Sequence, residues 1–125
     1  MEKVGPFAKS SATYVSLGLN VLPVVRYTKK PAIAFHRFTQ RKIEKGELKE
    51  MLNAFGDYNV GIITGMVSKI AVVDIDGPEG KVIEDKLPKT FSVKTNRGSH
   101  YYYRISEPLR SSIRVFPFVD VKGEG

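Results

Sequence analysis

The sequence predicts an α/β fold of the mixed α+β type, with a small twisted mixed sheet, flanking helices and an N-terminal unit of helix and strand. Two observations concern periodicity: up to about residue 55 apolar residues recur at helical spacing, and from residue 59 short β-rich runs alternate with glycine turns. The third observation is size. A chain of 125 residues with 42% hydrophobic content can bury one compact core but is short for two, so we expect a single domain over residues 1–125.

The first predicted elements are a helix, a strand and a basic loop. The helix carries an apolar stripe at Val4, Phe7, Ala8, Ala12, Val15 and Leu19. Pro6 suits its first turn, and Gly18 lies where it should end. Residues 21–25 follow as a short buried strand, in which Pro23 cannot donate to a ladder and therefore favours a sheet edge. Residues 26–31 then form a basic loop.

The next predictions are a second helix and a hairpin. The helix runs from residue 39 or 40 to about residue 55. Its apolar positions are Ile43, Leu48, Met51, Leu52 and Phe55. Residues 59–64 and 70–75 are strand-like, and the glycine-containing segment 65–69 between them predicts that they pair as a hairpin.

The remaining elements are short. Residues 78–86 can form a helix that begins with an acidic first turn. Residues 90–95 and 100–105 are β-rich runs joined by good turn residues at 96–99, which predicts a second hairpin. Residues 115–121 are predicted to be the last strand.

Composition excludes several classes of protein. The chain has no cysteine, so disulfides and thiolate metal sites are excluded, and any metal must be a hard ion with oxygen or imidazole ligands. No apolar run is long enough to cross a bilayer, and the N-terminus lacks the apolar segment of a signal peptide. We therefore expect a cytoplasmic protein without a membrane partner.

Charge is unevenly distributed along the chain, whose net charge is +7. Residues 1–49 contain ten basic and three acidic residues, residues 50–85 two basic and seven acidic, and residues 86–125 eight basic and three acidic. An acidic centre between basic flanks suits a metal site surrounded by groups that hold a polyanion. Solvated lysines on an ordinary protein surface fit the same numbers, so charge alone does not decide between them.

Asp74 and Asp76 end an apolar run and are the most informative pair in the sequence. Alternate side chains of a strand share a face, so both carboxylates point the same way while Val73 and Ile75 face the core. Oxygen ligands of this kind suit Mg²⁺ or Mn²⁺, and two such ions can stabilise both the attacking and the leaving oxygen of nucleotidyl transfer. The motif is short and occurs in unrelated enzymes, so it does not identify a reaction by itself.

His100 and Asp120 are the candidate companions of this pair. Alternation places His100, Tyr102 and Arg104 on one face of a strand. A histidine in this position can bind a phosphate or can be a hydrogen-bonded structural residue. Asp120 is a third carboxylate that emerges from a strand. If that strand lies beside the strand of Asp74, the three carboxylates are the minimum for a two-metal centre; otherwise Asp120 is an exposed polar residue.

The order of these motifs resembles that of the archaeo-eukaryotic primase superfamily. The superfamily has a paired acid on a strand, a small residue-x-His and a hydrophobic-Asp, matched here by Asp74-Ile75-Asp76, Gly98-Ser99-His100 and Val119-Asp120. The resemblance is to the bifunctional DNA primase/polymerase N-terminal domain, and it runs from about Ala12 to the C-terminus. Further similar segments are Lys29-Lys30-Pro31, Asn59-Val60-Gly61-Ile62, Lys94-Thr95, Arg97-Gly98 and Asp120-Val121-Lys122-Gly123.

The resemblance implies an RRM-like primase catalytic core and a site. Asp74, Asp76 and Asp120 would be the catalytic carboxylates that bind two Mg²⁺ or Mn²⁺ ions, and His100 would contact the phosphates of the nucleotide. Candidates for further phosphate or template contacts are Lys30, Arg97 and Lys122. The implied function is metal-dependent, template-directed primer synthesis or extension in the replication of plasmids, phages or mobile elements. The implied partners are a DNA template and primer, nucleoside triphosphates and a replicative helicase.

One departure from the family concerns the C-terminus. The family domain continues with closing strands, whereas this chain ends at Gly123-Glu124-Gly125. We therefore expect it to lack the family's C-terminal strands, which leaves the activity of this short chain open. An unpaired sheet edge of this kind favours a homodimer or strand exchange.

Three other functions fit part of the pattern. Apolar-Asp-x-Asp-Gly resembles the nucleophile motif of haloacid dehalogenase-type phosphatases, but that motif normally opens the domain, and about seventy residues precede it here. A toprim-like nuclease also uses paired aspartates but needs a glutamate on an earlier strand, and residues 21–25 and 60–64 contain none. A non-catalytic nucleic-acid-binding module would stack bases on one or two of the tyrosines at 101–103 and bind phosphates through the basic flanks.

Overall fold

The structure, a computed structural model, describes residues 4–77, 80–95, 97–108, 111–116 and 119–122. The chain divides into two compact units, Met1–Ile63 and Thr64–Gly125, which are described separately. Helices and antiparallel sheets occur together along the chain, so the predicted mixed α+β class is confirmed. None of the helices within the described residues is long and apolar enough to cross a membrane.

The first unit is built from two helices and a two-stranded antiparallel sheet. Its elements are α1 (Pro6–Ser16), β1 (Asn20–Val24), a 3-10 helix (His36–Thr39), α2 (Lys45–Phe55) and β2 (Asn59–Ile63). Helix α1 packs against both strands and against α2. The core residues of this unit are Phe7, Val21, Leu22, Phe38, Ile43, Met51 and Ile63.

Helix α1 confirms the predicted element but not the whole predicted stripe. Proline lies in its first turn, and Gly18 after its end has φ +90°, a conformation that glycine adopts without a Cβ clash. Phe7 and Ser11 are the buried residues of the helix, whereas Ala12 is exposed and Val4 is 58% exposed. The buried face is therefore turned by about one residue, because Ser11 rather than Ala12 lies one turn after Phe7.

Ser11 carries a buried hydroxyl that is expected to lower stability. Its Oγ has no hydrogen-bond partner among the described residues, and the residue is 0% exposed. Burying an unsatisfied hydroxyl costs free energy, and alanine is also the better helix former. We expect Ser11→Ala to raise the free energy of unfolding by about 1 kcal/mol. The measurement is the midpoint of urea unfolding, with Ser10→Ala on the same helix as the control for helix propensity. A lower midpoint for Ser11→Ala than for the unmodified chain would contradict the prediction.

The start of α2 is set by capping, and it differs from the prediction. The helix begins at Lys45 rather than near residue 39. Asn20, 1% exposed, donates through Nδ2 to the carbonyl oxygens of Phe38 and Arg41 and accepts from the Ile43 N–H, at 2.8, 2.7 and 3.1 Å. These bonds hold the segment before the helix in a non-helical path. Glu44 then acts as N-cap in a capping box.

Glu47 closes this capping box and gives α2 a pH-dependent contact. Its carboxylate accepts from the Glu44 N–H at 2.9 Å and from both Arg41 terminal nitrogens at 2.7 and 2.8 Å. The Arg41 hydrogen bonds first, and then the backbone bond, lower the pKa of Glu47 from 4.5 to about 2. A lowered pKa stabilises the folded state above pH 4.5, and this contribution is lost as pH falls through about 2.

We therefore expect Glu47→Gln to lower the melting temperature at pH 7 and to have little effect near pH 2. The measurement is thermal unfolding by circular dichroism across this range. Glu50→Gln, an exposed position of the same helix, is the matched control and should show a smaller change at pH 7. A Glu47→Gln effect that is the same at both pH values would contradict the assignment.

The second unit is dominated by a five-stranded sheet in the order β4-β5-β3-β7-β6. Its elements are β3 (Ile70–Asp76), α3 (Lys81–Glu84), β4 (Ser92–Lys94), β5 (Gly98–Arg104), β6 (Ser112–Phe116) and β7 (Val119–Lys122). Each neighbouring pair in this order is antiparallel, so the sheet is antiparallel rather than mixed. The predicted hairpin of residues 90–95 and 100–105 is confirmed as β4 and β5. Its turn residue Asn96 lies outside the described residues.

Two strand predictions were wrong in their pairing. Strand β2 pairs with β1, and β3 pairs with β5 and β7, so the expected hairpin of residues 59–64 and 70–75 does not form. The turn itself exists, because Gly65 and Ile70 exchange both backbone hydrogen bonds, at 2.8 and 3.2 Å. The single last strand predicted over 115–121 is instead two antiparallel strands, β6 and β7, with residues 117 and 118 outside the described part. The predicted helix over 78–86 is described only as α3, and Pro78 and Glu79 are not described.

Candidate metal and nucleotide site

Strand β3 carries the aspartate pair at its C-terminal end. Ile75, between the two aspartates, is 1% exposed and belongs to the core. Alternation therefore puts Asp74 and Asp76 on the opposite face, as the sequence predicted. The Asp74 side chain is only 14% exposed, so its charge lies in a partly desolvated position.

Four residues form one row across the sheet, directly opposite one another in neighbouring strands. Val93 pairs with His100, His100 pairs with Asp74, and Asp74 pairs with Asp120. Residues directly opposite in an antiparallel pair lie on the same face of the sheet. The strand order thus supplies the adjacency that the sequence left as an assumption. We call Val93, His100, Asp74 and Asp120 the acid row.

His100 and Asp74 are in contact within the acid row. His100 Nε2 lies 3.2 Å from Asp74 Oδ1, and the histidine side chain is 37% exposed. The carboxylate can therefore orient the imidazole, which remains accessible from solvent. A group held in this way at the surface of a sheet is suited to contact a phosphate.

Gly98 explains why the pattern requires a small residue two positions before the histidine. It lies opposite Asp76 in the register, and a Cβ built on it would come 1.8 Å from the Ile75 carbonyl oxygen. The Gly77 N–H also donates to the Arg97 carbonyl oxygen at 2.7 Å. The chain around Gly98 therefore lies against the end of β3, and a side chain there would push β5 away from Asp74.

A second row lies one step along the same face. Tyr102 and Lys122 are both opposite Val72, and the Tyr102 N–H donates to the Phe91 carbonyl oxygen at 3.0 Å. The Phe91 and Tyr102 rings are 5.6 Å apart between centroids, and Phe91 is 64% exposed. We call Phe91, Tyr102, Val72 and Lys122 the aromatic row. It joins an exposed aromatic surface to the acid row, and sequence reasoning missed Phe91.

The other two tyrosines of the run belong to the opposite face. The Tyr101 hydroxyl donates to Glu84, and the Tyr103 hydroxyl donates to the Pro88 carbonyl oxygen at 2.8 Å. The Glu84 contact, followed by burial, raises the pKa of Tyr101, and burial raises the pKa of Tyr103. These two residues therefore attach α3 and the segment after it to the sheet. Of the three tyrosines, Tyr102 lies on the same face of the sheet as Asp74 and His100.

The predicted basic residues are placed in different surroundings. Lys122 lies in the aromatic row, and Arg97 is an exposed residue of the β4–β5 connection, next to the end of β3. Lys30 belongs to the first unit, where it is exposed in the loop after β1. The backbone register of the second unit thus puts Asp74, Asp76, His100, Asp120 and Lys122 in three neighbouring strands, whereas Lys30 lies in the other unit.

The carboxylates of the acid row, Asp74 and Asp120, together with Asp76 two residues after Asp74, fit a hard divalent ion. Within the part of the chain that the structure describes, no group of three His, Asp or Glu side chains could hold a metal ion, and Asp74, Asp76 and His100 are among those side chains. The case for a metal therefore depends on residue type and on the backbone register of Asp120. That register puts Asp120 opposite Asp74, with Asp76 two residues along the same strand. Three carboxylates without thiolate or several imidazoles are the donor set that Mg²⁺ and Mn²⁺ prefer.

The chain matches a known family along most of its length. The sequence profile for the N-terminal region of the bifunctional DNA primase/polymerases matches residues 11–125. The matched region includes residues 11–63 of the first unit, the whole second unit and every residue of the acid row and the aromatic row. No curated protein matches the chain.

Proposed function

The chain belongs to the bifunctional DNA primase/polymerase family, and from that premise we propose that it is a metal-dependent nucleotidyltransferase that synthesises or extends primers on a DNA template. The observation that carries this proposal is the acid row, in which Asp120 lies opposite Asp74 and Asp74 lies opposite His100. Three motifs that are far apart in the sequence thereby lie at neighbouring register positions of one sheet.

The proposed roles follow from this placement. Asp74, Asp76 and Asp120 would hold the metal ions. Bound Mg²⁺ or Mn²⁺ would neutralise the triphosphate and would activate a primer hydroxyl for in-line attack on the α-phosphorus, with pyrophosphate as the leaving group. His100, oriented by Asp74, would contact the phosphates of the incoming nucleotide.

The aromatic row supports a position for the rest of the nucleotide. A two-residue step along a strand is about 6.8 Å, so Tyr102 and Phe91 lie roughly one nucleotide length from His100. Stacking on their rings would hold a base while phosphates remain at the acid row. Lys122 of the aromatic row and the exposed Arg97 would add phosphate contacts, and Lys30 is proposed as a template contact. A replicative helicase of a plasmid, phage or mobile element is the proposed partner.

The test is incorporation of labelled nucleotide on primed and unprimed single-stranded templates. We expect products only with Mg²⁺ or Mn²⁺ and with the complementary nucleotide, and no products after chelation by EDTA. Comparing ribonucleotides with deoxyribonucleotides identifies the substrate. Absence of incorporation by this chain and by a version extended with the family's closing strands would overturn the proposal.

A non-catalytic nucleic-acid-binding module is the second candidate function. The observation in its favour is the exposed Phe91 beside Tyr102, because aromatic groups on a sheet can stack bases without any chemistry. This candidate predicts strand binding that needs neither metal nor Asp74. DNA binding without incorporation, in the assay above, would favour it.

A further inference from the structure

The loop after β1 is a hydrogen-bonded turn that exposes a tyrosine among basic residues. The Val25 N–H donates to the Lys30 carbonyl oxygen at 2.9 Å, and the Thr28 N–H donates to the Val25 carbonyl oxygen at 3.2 Å. The Thr28 hydroxyl donates to the same Val25 oxygen at 2.8 Å and accepts from the Lys30 N–H at 3.1 Å. Four bonds therefore define the path of this turn, which we call the Arg26–Lys30 turn.

Tyr27 occupies a position in this turn that suits glycine or asparagine. It is the third residue of the four that the Thr28-to-Val25 bond encloses, and its φ is +62°. A positive φ is unfavourable for a residue with a bulky side chain. The side chain is 93% exposed, so packing within the protein does little to offset this strain. Strain that packing does not explain points to a role outside the fold.

The surroundings of Tyr27 indicate the chemistry of a ligand. The Arg26 guanidinium lies 5.6 Å from the centre of the Tyr27 ring, and Lys29 and Lys30 are exposed in the same turn. An exposed aromatic ring offers a stacking surface for a base, and neighbouring cations offer contacts for phosphates. Duplex DNA presents the phosphates but not free base faces, so this combination favours a single strand.

We propose that the Arg26–Lys30 turn is a binding site for single-stranded DNA, with one base stacked on Tyr27 and adjacent phosphates paired with Arg26, Lys29 and Lys30. The inference extends the proposed function, because a template-directed enzyme handles single strands. This binding site needs neither the acid row nor a metal, so it can be assayed without metal and nucleotide. A failed binding assay would leave the proposed incorporation activity standing, and a failed incorporation assay would leave the binding site standing.

The test uses fluorescence anisotropy of a labelled single-stranded oligonucleotide with the whole chain. We expect Tyr27→Asn to weaken binding at least about fivefold, the lower end for loss of a base–aromatic stack, and Tyr27→Phe to preserve it. Because asparagine tolerates a positive φ, the melting temperature should stay the same or rise. Binding to a blunt duplex should be unchanged. Unchanged single-strand affinity of Tyr27→Asn would overturn the proposal.

The lysines are tested against a matched loss of charge. Replacing Lys29 and Lys30 together by alanine should reduce the slope of log affinity against log salt by about 1.4, for two phosphate contacts on a single strand. Replacing Lys9 and Lys45, both exposed in the helices of the same unit, removes the same charge. This double variant should reduce the slope of log affinity against log salt by a smaller amount. Equal reductions of the slope in the two double variants would mean that net charge alone attracts the DNA, and would overturn the proposed site.

A measurement on the unmodified chain keeps the proposal testable if a variant does not fold. A single strand containing bromodeoxyuridine should cross-link under ultraviolet light to the peptide that carries Tyr27. Adducts confined to the second unit, Thr64–Gly125, would overturn the proposal.

Discussion

Asp74→Asn is expected to reduce nucleotide incorporation at least about 100-fold, because it removes the charge of a proposed metal ligand at the centre of the acid row. The substitution keeps the size of a side chain that is only 14% exposed, so the fold should be preserved. The measurement is the rate of incorporation with saturating Mg²⁺ or Mn²⁺. Affinity for single-stranded DNA, measured in parallel without nucleotide, should change by less than about twofold, because phosphate attraction to the basic flanks remains.

Asp85→Asn is the matched control for this variant. Asp85 is an exposed acid of the same unit, just after α3, and it lies outside the acid row. It should incorporate nucleotide at the rate of the unmodified chain. Equal rates for Asp74→Asn and Asp85→Asn would remove Asp74 from the catalytic machinery.

Gly98→Ala is expected to be the most destabilising of the single substitutions considered. The new Cβ would lie 1.8 Å from the Ile75 carbonyl oxygen, and the neighbouring atoms are backbone, which cannot rotate away. Strand β5 must shift from β3, at a cost of about 3 kcal/mol in the free energy of unfolding. Urea unfolding measures this loss. Any folded fraction should also have reduced incorporation, because the same shift separates His100 from Asp74.

Gly46→Ala supplies the opposite result. A Cβ on Gly46, in the first turn of α2, meets nothing within 4 Å. Alanine should therefore raise the free energy of unfolding by about 0.5 to 1 kcal/mol through its better helix propensity. If both glycine variants changed stability by similar amounts, the close approach of Gly98 to β3 would not be the cause.

Local chemistry in the sequence was sufficient for several features. Alternation placed Asp74 and Asp76 on one face, and turn residues predicted the β4–β5 hairpin. The β2–β3 hairpin failed although its turn forms, because which strand pairs with which depends on the rest of the sheet rather than on the turn. The late start of α2 has a similar cause, since the Asn20 side chain holds the segment before it from 23 residues away.

The candidate site was only partly accessible from sequence. The three motifs could be recognised, but the position of Asp120 opposite Asp74 depends on the strand order, which no local pattern encodes. Phe91 was missed because it precedes a three-residue strand, and a pattern of two alternate apolar residues, Phe91 and Val93, is too short to indicate a face. Its pairing with Tyr102 is visible once the register is known. Lys30 could be assigned a charge and a loop, but not a position relative to the acid row.

The acid row depends on the register in which β7 pairs with β3, because that register determines which residue lies opposite Asp74. Four residue pairs join the two strands within the described residues, and the partner of β7 on its other side, β6, has an irregular register. A shift of β7 by one residue would set Val119 or Val121, instead of Asp120, opposite Asp74. Single-residue insertions or deletions within the β6–β7 hairpin should therefore remove activity while leaving the sheet hydrogen-bonded.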